Sequence, residues 1–170
     1  FSFELIPADK GPLPALLAHR CWALGQHPRV DRWLGDAEVL HGTNYVVPPS
    51  RIPRLVSVYD CWFLAHPGDA SPAVRLAGQV LRRAVANGAV VHTSSHATAA
   101  SVRQHLPGAS VHTVHLAALA LSPPPAECPF PAVSGRRFVL ALGTLERRKN
   151  LPRLVQAFGL PAADLPDLVL

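Results

Sequence analysis

The sequence predicts an α/β protein built around a mainly parallel β-sheet. Apolar segments rich in β-branched residues occur at 54–59, 89–93 and 110–114, and segments with helical periodicity lie between them. Strands and helices that alternate in this way form βαβ units, whose right-handed crossovers place successive strands side by side. Hydrophobic residues make up 49% of the chain and charged residues 16%, which favours a packed core over a disordered chain.

Local signals mark the helices of this pattern. Ser71 followed by Pro72 predicts a helix start, and Asn87-Gly88 predicts its left-handed end. In this helix the predicted apolar stripe is Val74, Ala77, Leu81 and Ala84, and the predicted outward positions are Arg75, Gln79, Arg82 and Arg83. Ser94 or Ser95 is expected to cap a second helix that ends near His105. Upstream, the pattern predicts a helix at 13–24, a short strand at 37–41 and a loop at 42–50.

A proline-rich segment at 122–135 predicts a stiff linker between two domains. The predicted divisions are a first domain at 1–121 and the start of a second at 136–170. The second opens with a strand at 137–142 and a helix that starts near Asn150. Because the chain contains no Met and its last residues have the pattern of an interrupted strand, we expect an internal fragment of a longer protein.

Composition narrows the classes of function. The net charge is +5, but the basic residues are mostly scattered arginines, which favours a solvated surface over a polyanion-binding face. A basic α/β module that binds nucleic acid remains an alternative, although no nucleic-acid partner is expected. The three cysteines lack CxxC spacing and the nine histidines include no HExxH, so we expect reduced cysteines and no metal site.

The segment around Gly143 has the pattern of a phosphate-binding loop. A buried-type strand precedes Gly143, a basic stretch ending at Lys149 follows, and Asn150 stands before a helix whose apolar face repeats at i, i+3, i+4 and i+7. Backbone N–H groups at a glycine turn and a helix start favour anions, and Lys149 adds a point charge. The motifs GxGxxG, GxxxxGK[ST] and GxSxG are all absent, which counts against dehydrogenases, P-loop hydrolases and nucleophile-elbow hydrolases.

Gly143-Thr-Leu-Glu-Arg-Arg-Lys-Asn150 resembles the GTLEPRKN loop of family 4 of the retaining glycosyltransferases, which have the GT-B fold. Segments 41–49, 56–67 and 91–97 resemble further motifs of that family, in the same order and spacing. The resemblance covers about residues 37–160. It implies a Rossmann-like parallel sheet, with the later part of the N-terminal domain followed by the first βαβ unit of the C-terminal domain.

The resemblance also implies an activity and a site. It implies transfer of a hexose, by similarity mannose, from a nucleotide sugar such as GDP-mannose or a UDP-sugar to a glycan or lipid-linked acceptor, with retention and without a metal. Such an enzyme works in the cytoplasm, at the inner face of the membrane, and peripheral membrane association fits the basic surface. The implied residues are Gly143, Thr144, Arg148 and Lys149 for the donor diphosphate, Thr43 and Asn44 for the acceptor, and Tyr59 and Asp60 as the catalytic pair.

Two positions depart from the family pattern. Tyr59 stands where the family has a histidine, and Thr144 stands where many relatives have an arginine, for which Arg147 and Arg148 offer compensation. Asp60 also has a structural interpretation, as a turn residue that caps the next segment. The family's glycine-rich loop and its glutamate pair are expected outside this chain. A non-catalytic or truncated relative therefore stays open beside the enzyme.

Overall fold

The computed structural model describes residues 13–118, 123, 134–160 and 165–170. The chain divides into two compact units, Phe1–Ala118 and Leu119–Leu170. The predicted linker at 122–135 lies outside the described residues, apart from Pro123, Ser134 and Gly135. Each unit is therefore described by itself.

The first unit contains a four-stranded parallel sheet in which the strands follow one another in chain order. The strands are β1 (Leu40–Gly42), β2 (Arg54–Val58), β3 (Val90–Thr93) and β4 (Val111–Thr113). Each pairs in parallel with the next. This arrangement confirms the predicted α/β class and is Rossmann-like.

The helices of the first unit begin and end close to the predicted signals. They are α1 (Ala15–Leu24), α2 (Trp62–Ala65), α3 (Pro72–Ala86) and α4 (His96–His105), with a 3-10 turn at Asp31–Trp33. The Ser71 hydroxyl accepts a hydrogen bond from the Val74 N–H, and the Ser95 hydroxyl accepts one from the Thr98 N–H. Gly88 ends α3 with φ +84°. The Ser71 cap and the left-handed Gly88 thus set the two ends of α3 where they are predicted.

The core lies between one face of the sheet and the helices. Val56, Val58 and Val91 of the strands pack with Leu81 of α3 and Val102 of α4, and all five side chains are fully buried. Because right-handed crossovers between sequential strands all return on the same side, the helices cover a single face of this sheet.

The predicted apolar stripe of α3 is partly wrong. Val74 is 41% exposed, whereas Val80 is buried. The reason is that α3 packs against α1 as well as the sheet, and Val80 belongs to a second cluster with Ala18 and Trp22 of α1. Gly78 is buried too, because its Cα faces Phe63: an added Cβ would lie 3.1 Å from that ring. Because α3 packs against both α1 and the sheet, its buried face includes Val80 and excludes Val74.

The second unit contains a two-stranded parallel sheet and one α-helix among its described residues. They are β5 (Phe138–Leu140), β6 (Asp167–Val169) and α5 (Leu151–Phe158), with a 3-10 turn at Arg147–Lys149. None of the described residues of this unit is buried, and Leu142 and Leu145 are more than 90% exposed. The apolar face predicted for α5 is thus only half-covered at Leu151, Leu154 and Phe158.

The start of α5 differs from the prediction in one respect. Asn150 does stand at the N-cap position, but its side chain makes no capping hydrogen bond, because its backbone is left-handed with φ +50°. Its carbonyl accepts from the N–H groups of Arg153 and Leu154 instead. Within the described ranges, no helix has the length and apolar character needed to cross a membrane.

Candidate functional site

The carboxyl ends of β1, β2 and β3 lie along one edge of the first sheet because these strands are parallel. Ligands of open parallel sheets bind at this edge. Thr43 and Asn44 follow β1, and Tyr59 and Asp60 follow β2, which is the neighbouring strand. The structure therefore brings all four predicted residues of the first domain to one edge.

Tyr45 joins the two predicted pairs, and no pattern in the sequence marks it. Its backbone is left-handed, with φ +60°, and its N–H donates to the Ser57 carbonyl at 3.0 Å. Its phenol donates to Oδ2 of Asp60 at 3.4 Å, and its ring packs edge-on against Tyr59 with 6.2 Å between centroids. The loop after β1 is thereby held against the end of β2.

Asp60 makes the contact expected of a turn residue and also lies at the carboxyl edge of the sheet. Its Oδ1 accepts a hydrogen bond from the Trp62 N–H at 3.1 Å, as the turn interpretation requires. Its Oδ2 faces the phenol of Tyr45 at the carboxyl edge. Tyr59 is 41% exposed there, and Thr43 and Asn44 are exposed as well. The edge thus presents a phenol, a carboxylate and an amide to a ligand, all groups that bind polyhydroxylated molecules by hydrogen bonds.

In the second unit, Glu146 organises the predicted diphosphate loop. The Thr144 hydroxyl donates to Glu146 Oε1 at 2.7 Å, and the Arg148 Nε–H donates to Glu146 Oε2 at 2.5 Å. These contacts lower the pKa of Glu146, the Thr144 hydrogen bond most and the Arg148 hydrogen bond next. Glu146 was not among the predicted site residues, because no spacing rule marks it.

Lys149 and Gly143 belong to the same loop, and the charge of Lys149 also lowers the pKa of Glu146. Lys149 is exposed, and its backbone N–H donates to the Glu146 carbonyl at 3.0 Å. Among the described residues, no atom lies within 4 Å of the position that a Cβ of residue 143 would take. The described packing therefore does not require a glycine there.

Several arginines of the first unit donate hydrogen bonds to its own backbone. The Arg82 guanidinium donates to the His105 carbonyl at 2.9 Å, and Arg103 donates to the Val111 carbonyl at 3.1 Å. Arg54 is buried and donates to the Asn87 carbonyl. Cys21 and Cys61 are free thiols, and Cys128 lies outside the described residues. Within the described part of the chain, no group of three or more His, Cys, Asp or Glu side chains is arranged to hold a metal ion.

Comparison with protein-family models, with curated proteins and with solved structures found no match to this chain. The resemblance to a glycosyltransferase family therefore rests on the four sequence segments and on where the fold places them.

Proposed function

We propose that this chain is part of a retaining GT-B glycosyltransferase, which transfers a hexose from a nucleotide sugar to a glycan or lipid-linked acceptor. One observation carries the proposal. Each of the four family-like segments spans or follows the carboxyl end of a parallel strand: 41–49 at β1, 56–67 at β2, 91–97 at β3 and 143–150 at β5. Parallel α/β sheets bind ligands at these ends, and this placement of the four segments supports the proposal.

The loop after β5 supplies the donor side of the proposed reaction. As the sugar leaves, negative charge grows on the diphosphate, and positive groups held in place stabilise that charge. Lys149 is an exposed cation at this loop. Thr144 and Arg148 donate to the carboxylate of Glu146. In the proposed complex, diphosphate oxygens take the place of that carboxylate and receive the same two donors.

The edge after β1 and β2 supplies the sugar side. The Asp60 carboxylate accepts hydrogen bonds from sugar hydroxyls, and the Tyr59 phenol donates or accepts one in place of the family's histidine. Thr43 and Asn44 contact the acceptor. The donor is GDP-mannose or a UDP-sugar, and the enzyme works without a metal, in the cytoplasm and at the inner face of the membrane.

Removal of the Lys149 charge is expected to weaken nucleoside-diphosphate binding by about tenfold, because one charge-assisted contact at an exposed site is lost. Isothermal titration of the chain with GDP and with UDP, for the unmodified protein and Lys149→Ala, measures the change. Arg153→Ala is the matched control, since Arg153 is an exposed cation on α5 of the same unit. Equal losses in both variants, or unchanged binding in Lys149→Ala, would contradict the role of Lys149.

A non-catalytic relative is the second candidate, because Tyr59 replaces the family's histidine and Thr144 replaces a frequent arginine. This candidate predicts that the chain binds nucleotide and that the binding depends on Lys149. It also predicts that no nucleoside diphosphate is released when a nucleotide sugar and an acceptor are both present. The nucleic-acid alternative predicts affinity for oligonucleotides that falls steeply with salt. The scattered arrangement of the arginines along the chain counts against that alternative.

A further inference from the structure

A buried hydroxyl connects three neighbouring strands on the sheet face opposite the helices. Ser57 of β2 is 1% exposed. Its Oγ lies 2.9 Å from Nε2 of His41 in β1 and 2.9 Å from Nδ1 of His92 in β3. The register pairs Ser57 with His92 and His41 with Leu55, two residues before Ser57. Because side chains alternate along a strand, all three share one face.

The direction of these hydrogen bonds follows from the Val114 carbonyl, which is the last group in the series. Nε2 of His92 lies 3.1 Å from the Val114 carbonyl oxygen, which can only accept. Nε2 of His92 therefore carries a hydrogen, and in the neutral ring Nδ1 is the acceptor. It follows that the Ser57 hydroxyl donates to His92 and accepts from the Nε2–H of His41. The three hydrogen bonds therefore all point the same way, from His41 through Ser57 and His92 to the Val114 carbonyl.

We propose that His41, Ser57 and His92 form a pH-sensitive clasp, which holds edge strand β1 to β2, accommodates one added proton and resists a second. A proton on Nδ1 of the exposed His41 ring leaves every hydrogen bond of the clasp intact. When both rings carry an added proton, both are donors toward Ser57. The buried Ser57 hydroxyl then has no acceptor and lies between two cations, which opposes this state.

The surroundings contain other titratable groups but no compensating carboxylate. Tyr59 follows the end of β2, two residues after Ser57, and His112 of β4 is in register with His92. After β4, His115 donates from Nδ1 to the Ser94 carbonyl. Among the described residues, no carboxylate forms a hydrogen bond or ion pair with either ring of the clasp. Burial first, and the charge of His92 second, lower the pKa of His41.

The lowered pKa of His41 fixes the direction of the effect. Because the folded state binds this proton more weakly than the unfolded state, the stabilisation is complete above the ordinary histidine pKa of about 6.5. It is lost as the pH falls from that value toward the lowered folded pKa. The clasp itself rests on its hydrogen bonds and is independent of the proposed function.

Nitrogen-15 NMR of the histidine rings of the whole chain, between pH 8 and 5, tests the proposal without any variant. At pH 8 we expect His92 to carry its hydrogen on Nε2, so that Nδ1 accepts the hydrogen bond from Ser57. On acidification, His41 is expected to take up its proton at a lower pH than an ordinary histidine, because its pKa is lowered. Hydrogen on Nδ1 of neutral His92, or a raised pKa of His41, would overturn the clasp.

A second measurement compares urea unfolding at pH 8 and pH 5.5, followed by tryptophan fluorescence. The folded-to-unfolded ratio is expected to fall on acidification by less than the roughly tenfold per pH unit that one full proton would give, since His41 is exposed. His92→Gln keeps an acceptor and a donor but no charge, so it should raise the pKa of His41 and reduce the pH dependence. His112→Gln, on the next strand, is the control. An equal reduction in the control, or no pH dependence in the unmodified chain, would count against the proposal.

Discussion

Alanine in place of Gly42 is expected to destabilise the first unit by about 3 kcal/mol, the upper part of the usual range for overpacking. A Cβ at position 42 would lie 2.0 Å from the Val46 carbonyl oxygen and 2.7 Å from its carbonyl carbon. Both atoms belong to the backbone, so no side-chain rotation relieves the contact. The loop that carries Thr43, Asn44 and Tyr45 must move, and the contact of Tyr45 with Asp60 is lost with it.

Urea unfolding followed by tryptophan fluorescence measures the effect of Gly42→Ala, since Trp22, Trp33 and Trp62 all lie in the first unit. Gly68→Ala is the matched control because no atom lies within 4 Å of its added Cβ. We expect that control to change the free energy of unfolding by less than about 0.5 kcal/mol. A Gly42→Ala protein as stable as the control would show that the loop after β1 is not packed as described.

Truncation of Leu81 to alanine is expected to cost about 2 to 5 kcal/mol of the free energy of unfolding, because it leaves a cavity in the core. Leu81 is fully buried in α3, in the cluster that also contains Val56, Val91 and Val102. The substitution favours the helix locally, so the loss would come from packing. Thermal or urea unfolding of the Leu81→Ala protein gives the value directly.

Val74→Ala provides the control for Leu81→Ala within the same helix. The amphipathic pattern placed both residues on one apolar stripe, but Val74 is 41% exposed. We therefore expect Val74→Ala to stay within about 0.5 kcal/mol of the unmodified protein. Comparable losses from the two substitutions would mean that the buried face of α3 follows the sequence pattern after all.

Much of the fold was predictable because its signals are local. The start of α3 is marked by Ser71 and Pro72, and its end by Asn87 and Gly88. These residues supply capping chemistry that any helix requires. The apolar segments of β2 and β3 alternate with helices, and that alternation alone predicts a parallel sheet. The burial of Val80 instead of Val74 was not predictable, since it depends on where α1 packs against α3.

The candidate site was predictable only in part. Motif positions placed Tyr59, Asp60, Thr43 and Asn44 at strand ends, and the parallel sheet brings these ends together. Tyr45 was missed because a left-handed tyrosine leaves no mark in the pattern of apolar residues. Glu146 was missed because its role depends on the side-chain conformations of Thr144 and Arg148. Pairings of that kind are set by the folded loop rather than by spacing.

Backbone amide chemical shifts of the chain, recorded as GDP or UDP is added, test the central claim most directly. The proposed donor site predicts that the largest shift changes fall on the amides of 143–150, with saturation. The amides of β1 to β4 are expected to change little, because they do not belong to the diphosphate loop. Changes confined to other residues, or none at millimolar nucleotide, would contradict the assignment of this loop to a donor diphosphate.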